Sequence, residues 1–125
     1  MKVLLVDDDP DIRMVAMIAL KSVGQWDVME ADSGADALGK AEAYEPDLIL
    51  LDMMLPGMDG MATLAALRRR PGLAHTPAIF MTAKVREADV ARYLAAGATG
   101  VIQKPFDPMA LPGEVQRILK ATSAG

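Results

Sequence analysis

The sequence predicts an α/β fold: a doubly wound, five-stranded parallel sheet surrounded by five helices. Three observations carry this reading. The aliphatic runs Val3–Val6 and Leu48–Leu51 are each closed by acid, Asp7-Asp8-Asp9 in one case and Asp52 in the other. Such runs read as strands buried on both faces, the kind found in parallel sheets. Short apolar runs then alternate with stretches of helical periodicity along all 125 residues, and that alternation calls for right-handed crossovers. Finally, polar residues gather where the runs end, the side on which open parallel sheets bind ligands.

Taken in order, the first strand leads into a helix carrying Ile12, Val15, Ala16, Ala19, Leu20 and Val23, with Pro10 near its start and Gly24 past its end. Trp26–Glu30 is the second strand. Ser33 and Asp36 have the spacing of a capping box for a helix through Ala37, Leu38 and Ala41. Pro46 precedes the strand ending at Asp52, and Pro56-Gly57-Met58-Asp59-Gly60 is a turn into a helix carrying Met61, Leu64 and Leu67. Pro77–Met81 closes at Thr82, and helical pattern returns around Val90 and Leu94. Gly97 and Gly100 flank the short run Val101-Ile102 before Lys104-Pro105. Asp107-Pro108 is a cap and first-turn pair, and the last helix is expected from Pro112 to Lys120. One domain over 1–121 with a frayed tail at 122–125 follows.

Composition sets limits. This length fits a single core without disulfides, and 52% hydrophobic, 24% charged and 4% aromatic residues predict an aliphatic, methionine-filled core, with the ten methionines read as core filler. A net charge of -4 lacks the basic footprint of direct nucleic-acid binding. Having no cysteine, the chain has no thiolate metal site and no thiol nucleophile. The apolar stretch after Lys2 is too short for a signal peptide, and no run is long enough to span a membrane. A cytoplasmic protein is expected. Arg68-Arg69-Arg70 reads as a solvated helix end that complements the dipole, and His75 receives no role.

Singly, the strand-end residues have ordinary explanations. Asp9 before Pro10 suits a helix cap, and threonines at strand ends usually close turns. Together, Asp7, Asp8, Asp52, Thr82 and Lys104 make a chemical set. Crowded carboxylates repel unless a cation joins them or they take up protons, so a metal site is the first expectation. A carboxylate can also act as a nucleophile towards a phosphoryl group. Asp52 is the candidate, at the end of the expected central strand. Asp7 and Asp8 suit Mg²⁺, while Thr82 and Lys104 offer a hydroxyl and a compact cation to phosphoryl oxygens.

The runs Leu5-Val6-Asp7-Asp8, Leu51-Asp52-Met53-Met54-Leu55-Pro56-Gly57-Met58-Asp59-Gly60, Met81-Thr82-Ala83-Lys84 and Lys104-Pro105-Phe106, in that order, resemble the receiver domains of bacterial two-component response regulators. The resemblance covers essentially the whole chain. It implies a flavodoxin-like sheet of order 2-1-3-4-5 and a phosphoacceptor at Asp52, supplied by a sensor histidine kinase or a histidine phosphotransfer protein. It also implies Mg²⁺ held by Asp7, Asp8, Asp52 and the backbone carbonyl of Met54, with Thr82 and Lys104 on the phosphoryl group. A cis bond before Pro105, a downstream protein partner, and a monomer or weak phosphorylation-dependent dimer belong to the same set of expectations.

One departure stands out. Many receivers carry an aromatic residue three positions before the lysine, and here that residue is Val101. Switching is then expected to use the loop after Thr82 or the neighbouring Tyr93. Two other readings are a phosphorylation-independent docking module and an aspartyl-phosphate hydrolase. The second would want an acid two residues after Asp52, where Met54 stands. The chain is read either as a stand-alone regulator or as a receiver from a larger regulator or hybrid kinase.

Overall fold

The computed structural model describes the backbone of residues 1–124 and the side chains of 1–122. Five strands, β1 (Lys2–Val6), β2 (Asp27–Ala31), β3 (Leu48–Asp52), β4 (Ala78–Thr82) and β5 (Gly100–Gln103), alternate with α1 (Pro10–Ile18), α2 (Gly34–Tyr44), α3 (Gly60–Arg68), α4 (Glu87–Ala95) and α5 (Leu111–Ala124). All strand pairs are parallel, in the order β2-β1-β3-β4-β5. This is the predicted sheet.

Alternation along the strands divides the core in two. Leu4, Val6, Ile49, Leu51 and Phe80 face one layer with Ala37, Leu64, Leu67 and Tyr93 of α2, α3 and α4. Val3, Leu5, Leu48, Leu50, Ile79 and Met81 face the other, with Ala16, Leu111 and Val115 of α1 and α5. Because β1, β3 and β4 are covered on both faces, they need the unbroken aliphatic runs seen in the sequence. Methionine contributes less to this core than composition suggested. Met53 and Met81 are buried, whereas Met14, Met54 and Met109 are exposed. Leucine, isoleucine, valine and alanine already fill the space between sheet and helices.

Local chemistry explains most boundaries. Asp9 caps α1, its carboxylate accepting from the amides of Asp11 and Ile12. The first helix then ends in a π-helical turn over Ala19–Val23, where the Gly24 amide donates to the Ala19 carbonyl. Ser33 caps α2 by accepting from Asp36 N, but Asp36 returns its bond to the Asp32 amide rather than closing a reciprocal box. Asp107 holds a separate turn through Met109 N, and that turn runs directly into α5 at Leu111. The same helix continues four residues beyond the expected end, with Thr122 Oγ1 donating to the Ile118 carbonyl. Of the tail expected to fray, residues 122–124 are thus helical, and Gly125 lies outside the described residues.

Arg68 departs from its expected solvated role. Its guanidinium donates to the carbonyls of Leu73, Thr76 and Gly97, tying the end of α3 to the α3–β4 and α4–β5 connections. Arg69 and Arg70 are exposed. Among the described residues no helix is long and apolar enough to cross a membrane.

Candidate functional site

The site lies at the carboxyl ends of β1, β3, β4 and β5. Asp7 N extends the β1 ladder by donating to the Ala31 carbonyl, which fixes the first acid beside the sheet. Its Oδ1 accepts from Asp9 N at 2.9 Å, and its Oδ2 accepts from Lys104 Nζ at 2.8 Å. Asp7 has no exposed surface, while Asp8 beside it is open to solvent. Asp52 ends β3 with only 4% exposure; Oδ1 accepts from Met54 N at 3.2 Å and lies 3.3 Å from Lys104 Nζ. One carboxylate oxygen from each of Asp7, Asp8 and Asp52 falls within 4.8 Å of the others.

The loop after Asp52 is folded close to the strand end. Gly60 N donates to the Met53 carbonyl, and a β-carbon at Gly60 would stand 2.8 Å from both Asp52 O and Met53 Cα. No residue with a side chain fits there without moving that backbone. Gly57, at φ +77°, makes the reverse bend. Met54 directs its amide to Asp52 while its side chain is 65% exposed.

Lys104 is anchored by its own amide, which donates to the Thr82 carbonyl at 2.9 Å, and the following Lys104–Pro105 bond is cis. Thr82 itself is buried, but its hydroxyl oxygen accepts from Lys84 N at 3.1 Å. The sequence-selected acids and Lys104 therefore meet in one cluster, whereas the Thr82 hydroxyl is engaged with its own loop.

Electrostatics follow from this crowding. Burial first, and the Asp7 charge second, push the Asp52 carboxyl above its ordinary range; Lys104 and the Met54 amide oppose them. For Lys104, burial acts to lower the ammonium pKa, but the hydrogen bond to Asp7 and the charges of Asp52 and Asp7 outweigh it and the net shift is upward. Both shifts describe acids held at close quarters by one cation.

Arg13 was not singled out from the sequence. Its Nη1 donates to the Asp7 carbonyl at 2.7 Å and its Nε to Glu30 at 3.0 Å, so α1 and β2 together brace the β1–α1 loop. An arginine one helical turn after Asp9 was the available signal, but its partner Glu30 becomes visible only once β2 is paired with β1.

The sequence profile for the response regulator receiver domain matches residues 3–116. The chain belongs to that family. Among curated relatives, the receiver resembles the DNA-binding response regulator MtrA of Mycolicibacterium smegmatis, with 37% identity over 95% of this chain and 50% of the relative. It also resembles the alkaline phosphatase synthesis transcriptional regulatory protein PhoP of Bacillus subtilis, with 39% identity over 95% of this chain and 48% of the relative. The chain spans about half the length of these curated relatives. Their DNA-binding and transcriptional descriptions are theirs. Among solved structures, the chemotaxis protein CheY4 of Vibrio cholerae superposes with a TM-score of 0.87 at 34% identity, covering 94% of this chain and 97% of that one. The signal receiver domain of a histidine kinase from Syntrophus aciditrophicus gives 0.80 at 31%, covering 96% and 90%.

Receivers bind Mg²⁺ at an acidic pocket, and the donor set here fits such an ion. Its three carboxylates offer the hard oxygen ligands that Mg²⁺ prefers. The receiver is therefore a two-component signalling module with a cluster able to hold a metal.

Proposed function

We propose that this receiver takes a phosphoryl group onto Asp52 from the phosphohistidine of a sensor histidine kinase or a histidine phosphotransfer protein. An Asp52 carboxylate oxygen forms the new bond to phosphorus while the phosphorus–nitrogen bond of the donor breaks, and the imidazole leaves with the bonding pair. The observation that carries this reading is the joint hold of Lys104 on Asp7 and Asp52 within the acid cluster. A carboxylate so placed has a cation beside it that can pass to the incoming phosphoryl oxygens.

Asp7, Asp8, Asp52 and the Met54 carbonyl would hold Mg²⁺, which when bound supplies charge neutralisation for the phosphoryl oxygens. Thr82 would turn its hydroxyl to donate to one of those oxygens, and Lys104 would pair with another. The domain works as a signalling phosphoacceptor rather than an enzyme with a separate substrate, and water ends the signal by attacking the acyl phosphate. Added charge beside the Thr82 and Lys104 loops biases the surface of the last two strands and helices, and a downstream protein partner reads the change in the cytoplasm.

Incubation with acetyl phosphate, with and without Mg²⁺, tests the proposal through intact mass and phosphate-affinity gel mobility. The expected result is a Mg²⁺-dependent gain of one phosphoryl group that is absent from Asp52→Ala. Labelling that survives Asp52→Ala would mean another nucleophile. No labelling while Mg²⁺ binds would favour a docking module that works without phosphorylation.

A further inference from the structure

Tyr93 is an aromatic residue placed to feel movement of Thr82, and it reaches that position from α4. Its side chain is fully buried, and its hydroxyl donates to the Lys84 carbonyl at 3.2 Å. The Lys84 amide, on the other side of the same α-carbon, donates to Thr82 Oγ1 at 3.1 Å. Thr82 and Tyr93 thus hold the two polar groups of one residue in the β4–α4 loop. The Tyr93 ring packs edge-on against Phe80, with centroids 5.6 Å apart and planes at 73°, and Phe80 lies two residues before Thr82 on β4.

Val101 leaves the neighbouring space open. It pairs in register with Phe80, and with Val85, Val90, Leu94 and Ile118 it lines a surface hollow of about 500 Å³. Val85 follows Lys84 directly, so the loop that Tyr93 pins borders a space into which it can shift.

We propose that Tyr93 is a positioning residue for the β4–α4 loop in the resting state. By holding the Lys84 carbonyl, it keeps the β4–α4 loop in the arrangement in which the Thr82 hydroxyl serves its own loop, and phosphorylation releases this hold. This inference rests on Asp52 being the phosphoacceptor. When Thr82 turns to a phosphoryl oxygen, Lys84 N loses its acceptor, and the loop must either rotate about Lys84 or carry Tyr93 and α4 with it. The hydrogen bond from Tyr93 therefore stabilises the resting state selectively. Removing it shifts the population towards the activated one.

Tyr93→Phe removes a single oxygen and tests this directly. Beryllofluoride with Mg²⁺, a tetrahedral phosphoryl mimic, is titrated into both proteins while the Thr82 and Lys84 amide resonances are followed. The variant is expected to bind it about two- to tenfold more tightly, the range that one hydrogen bond's net contribution spans, while its melting temperature stays level or falls. A merely structural hydroxyl would lower the melting temperature and leave the affinity unchanged, which would overturn the proposal. In the native chain labelled with fluorotyrosine, the Tyr93 fluorine signal is expected to move on activation and that of Tyr44, the other tyrosine, to stay. A stationary Tyr93 signal would overturn it equally. Asp52 labelled by acetyl phosphate alongside an unchanged affinity in Tyr93→Phe removes this inference alone; a native chain that takes neither acetyl phosphate nor beryllofluoride removes the phosphoacceptor reading as well.

Discussion

Lys104 Nζ lies 2.8 Å from Asp7 Oδ2, an ion pair between residues 97 positions apart in the chain. To make it, the lysine at the end of edge strand β5 reaches past the ends of β4 and β3 to β1. A buried charge stripped of its partner costs about 3–5 kcal/mol, and Lys104 keeps some access to water. Lys104→Met is accordingly expected to destabilise the metal-free protein towards the lower end of that range. Mg²⁺ should restore much of the loss, because the ion then has no ammonium to displace, and it should bind several-fold more tightly than in the native chain. Urea unfolding with and without Mg²⁺, together with calorimetric titration, reads both effects. Weaker Mg²⁺ binding in the variant would show that Lys104 organises the acids rather than competing for them.

Asp52 gives a pH-dependent prediction. Its carboxyl pKa is raised in the fold, so the native state holds that proton more tightly than the unfolded chain does. Stability consequently falls as pH rises from the ordinary carboxylate range through the raised value, and the cost is fully present above it. In metal-free buffer at neutral pH, Asp52→Asn should melt a few degrees higher than the native chain. The advantage should fade as the pH is taken down through that window. A constant difference at all pH values would assign the gain to packing instead of charge.

Arg68 is expected to matter more for stability than its place at a helix end suggests. Its removal orphans the carbonyls of Leu73, Thr76 and Gly97 together. Hydrogen bonds to charged groups are each worth about 1.5–3 kcal/mol, and partial access to water reduces their sum, so Arg68→Met should lose about 3 kcal/mol in urea unfolding. Arg68→Lys should recover only part, since an ammonium lacks the planar fork that serves several acceptors at once.

Gly60→Ala tests how closely the loop after Asp52 must fold back. The added methyl would meet Asp52 O and Met53 Cα at 2.8 Å. Either α3 or the strand end must yield. The expectation is a loss of about 1–3 kcal/mol, typical of overpacking, with slower labelling by acetyl phosphate because Asp52 and the Met54 carbonyl are displaced together. Normal labelling in a destabilised variant would confine the effect to α3.

Most of the fold was legible because burial on both faces leaves a plain mark. Val3–Val6, Leu48–Leu51 and Pro77–Met81 could hardly be anything but central strands, and Asp52 at the end of the middle one followed from them. Edge strand β2 was displaced by a residue, from Trp26–Glu30 to Asp27–Ala31, since a half-exposed strand lacks so strict a pattern. The acids and Lys104 were recoverable as a set because each lies at or just past the end of an apolar run. Hydrogen bonds that join a side chain to a distant carbonyl have no such signature. Arg13 on Asp7, Arg68 on three carbonyls of two loops and Tyr93 on Lys84 emerge only when topology brings their partners near. The direction of the Thr82 hydroxyl was hidden for another reason: a threonine hydroxyl rotates to suit its partners, and its direction depends on what else the site contains.

The spread of the acid cluster along the chain bears on how the domain is made. Asp7 and Asp8 leave the ribosome before Asp52, and Lys104 follows all three, with β3 and β4 lying between β1 and β5 in the sheet. A nascent chain that has formed only β1, α1 and β2 has two acids without their cation, and adding β3 deepens the imbalance. The arrival of β5 brings in Lys104, which pairs with Asp7 and Asp52. A truncated product lacking its final strand is thus left with the repulsion and without the lysine that relieves it. Chains halted partway should for that reason be the ones cleared by proteolysis, so that molecules able to accept a signal are those whose synthesis has run through β5.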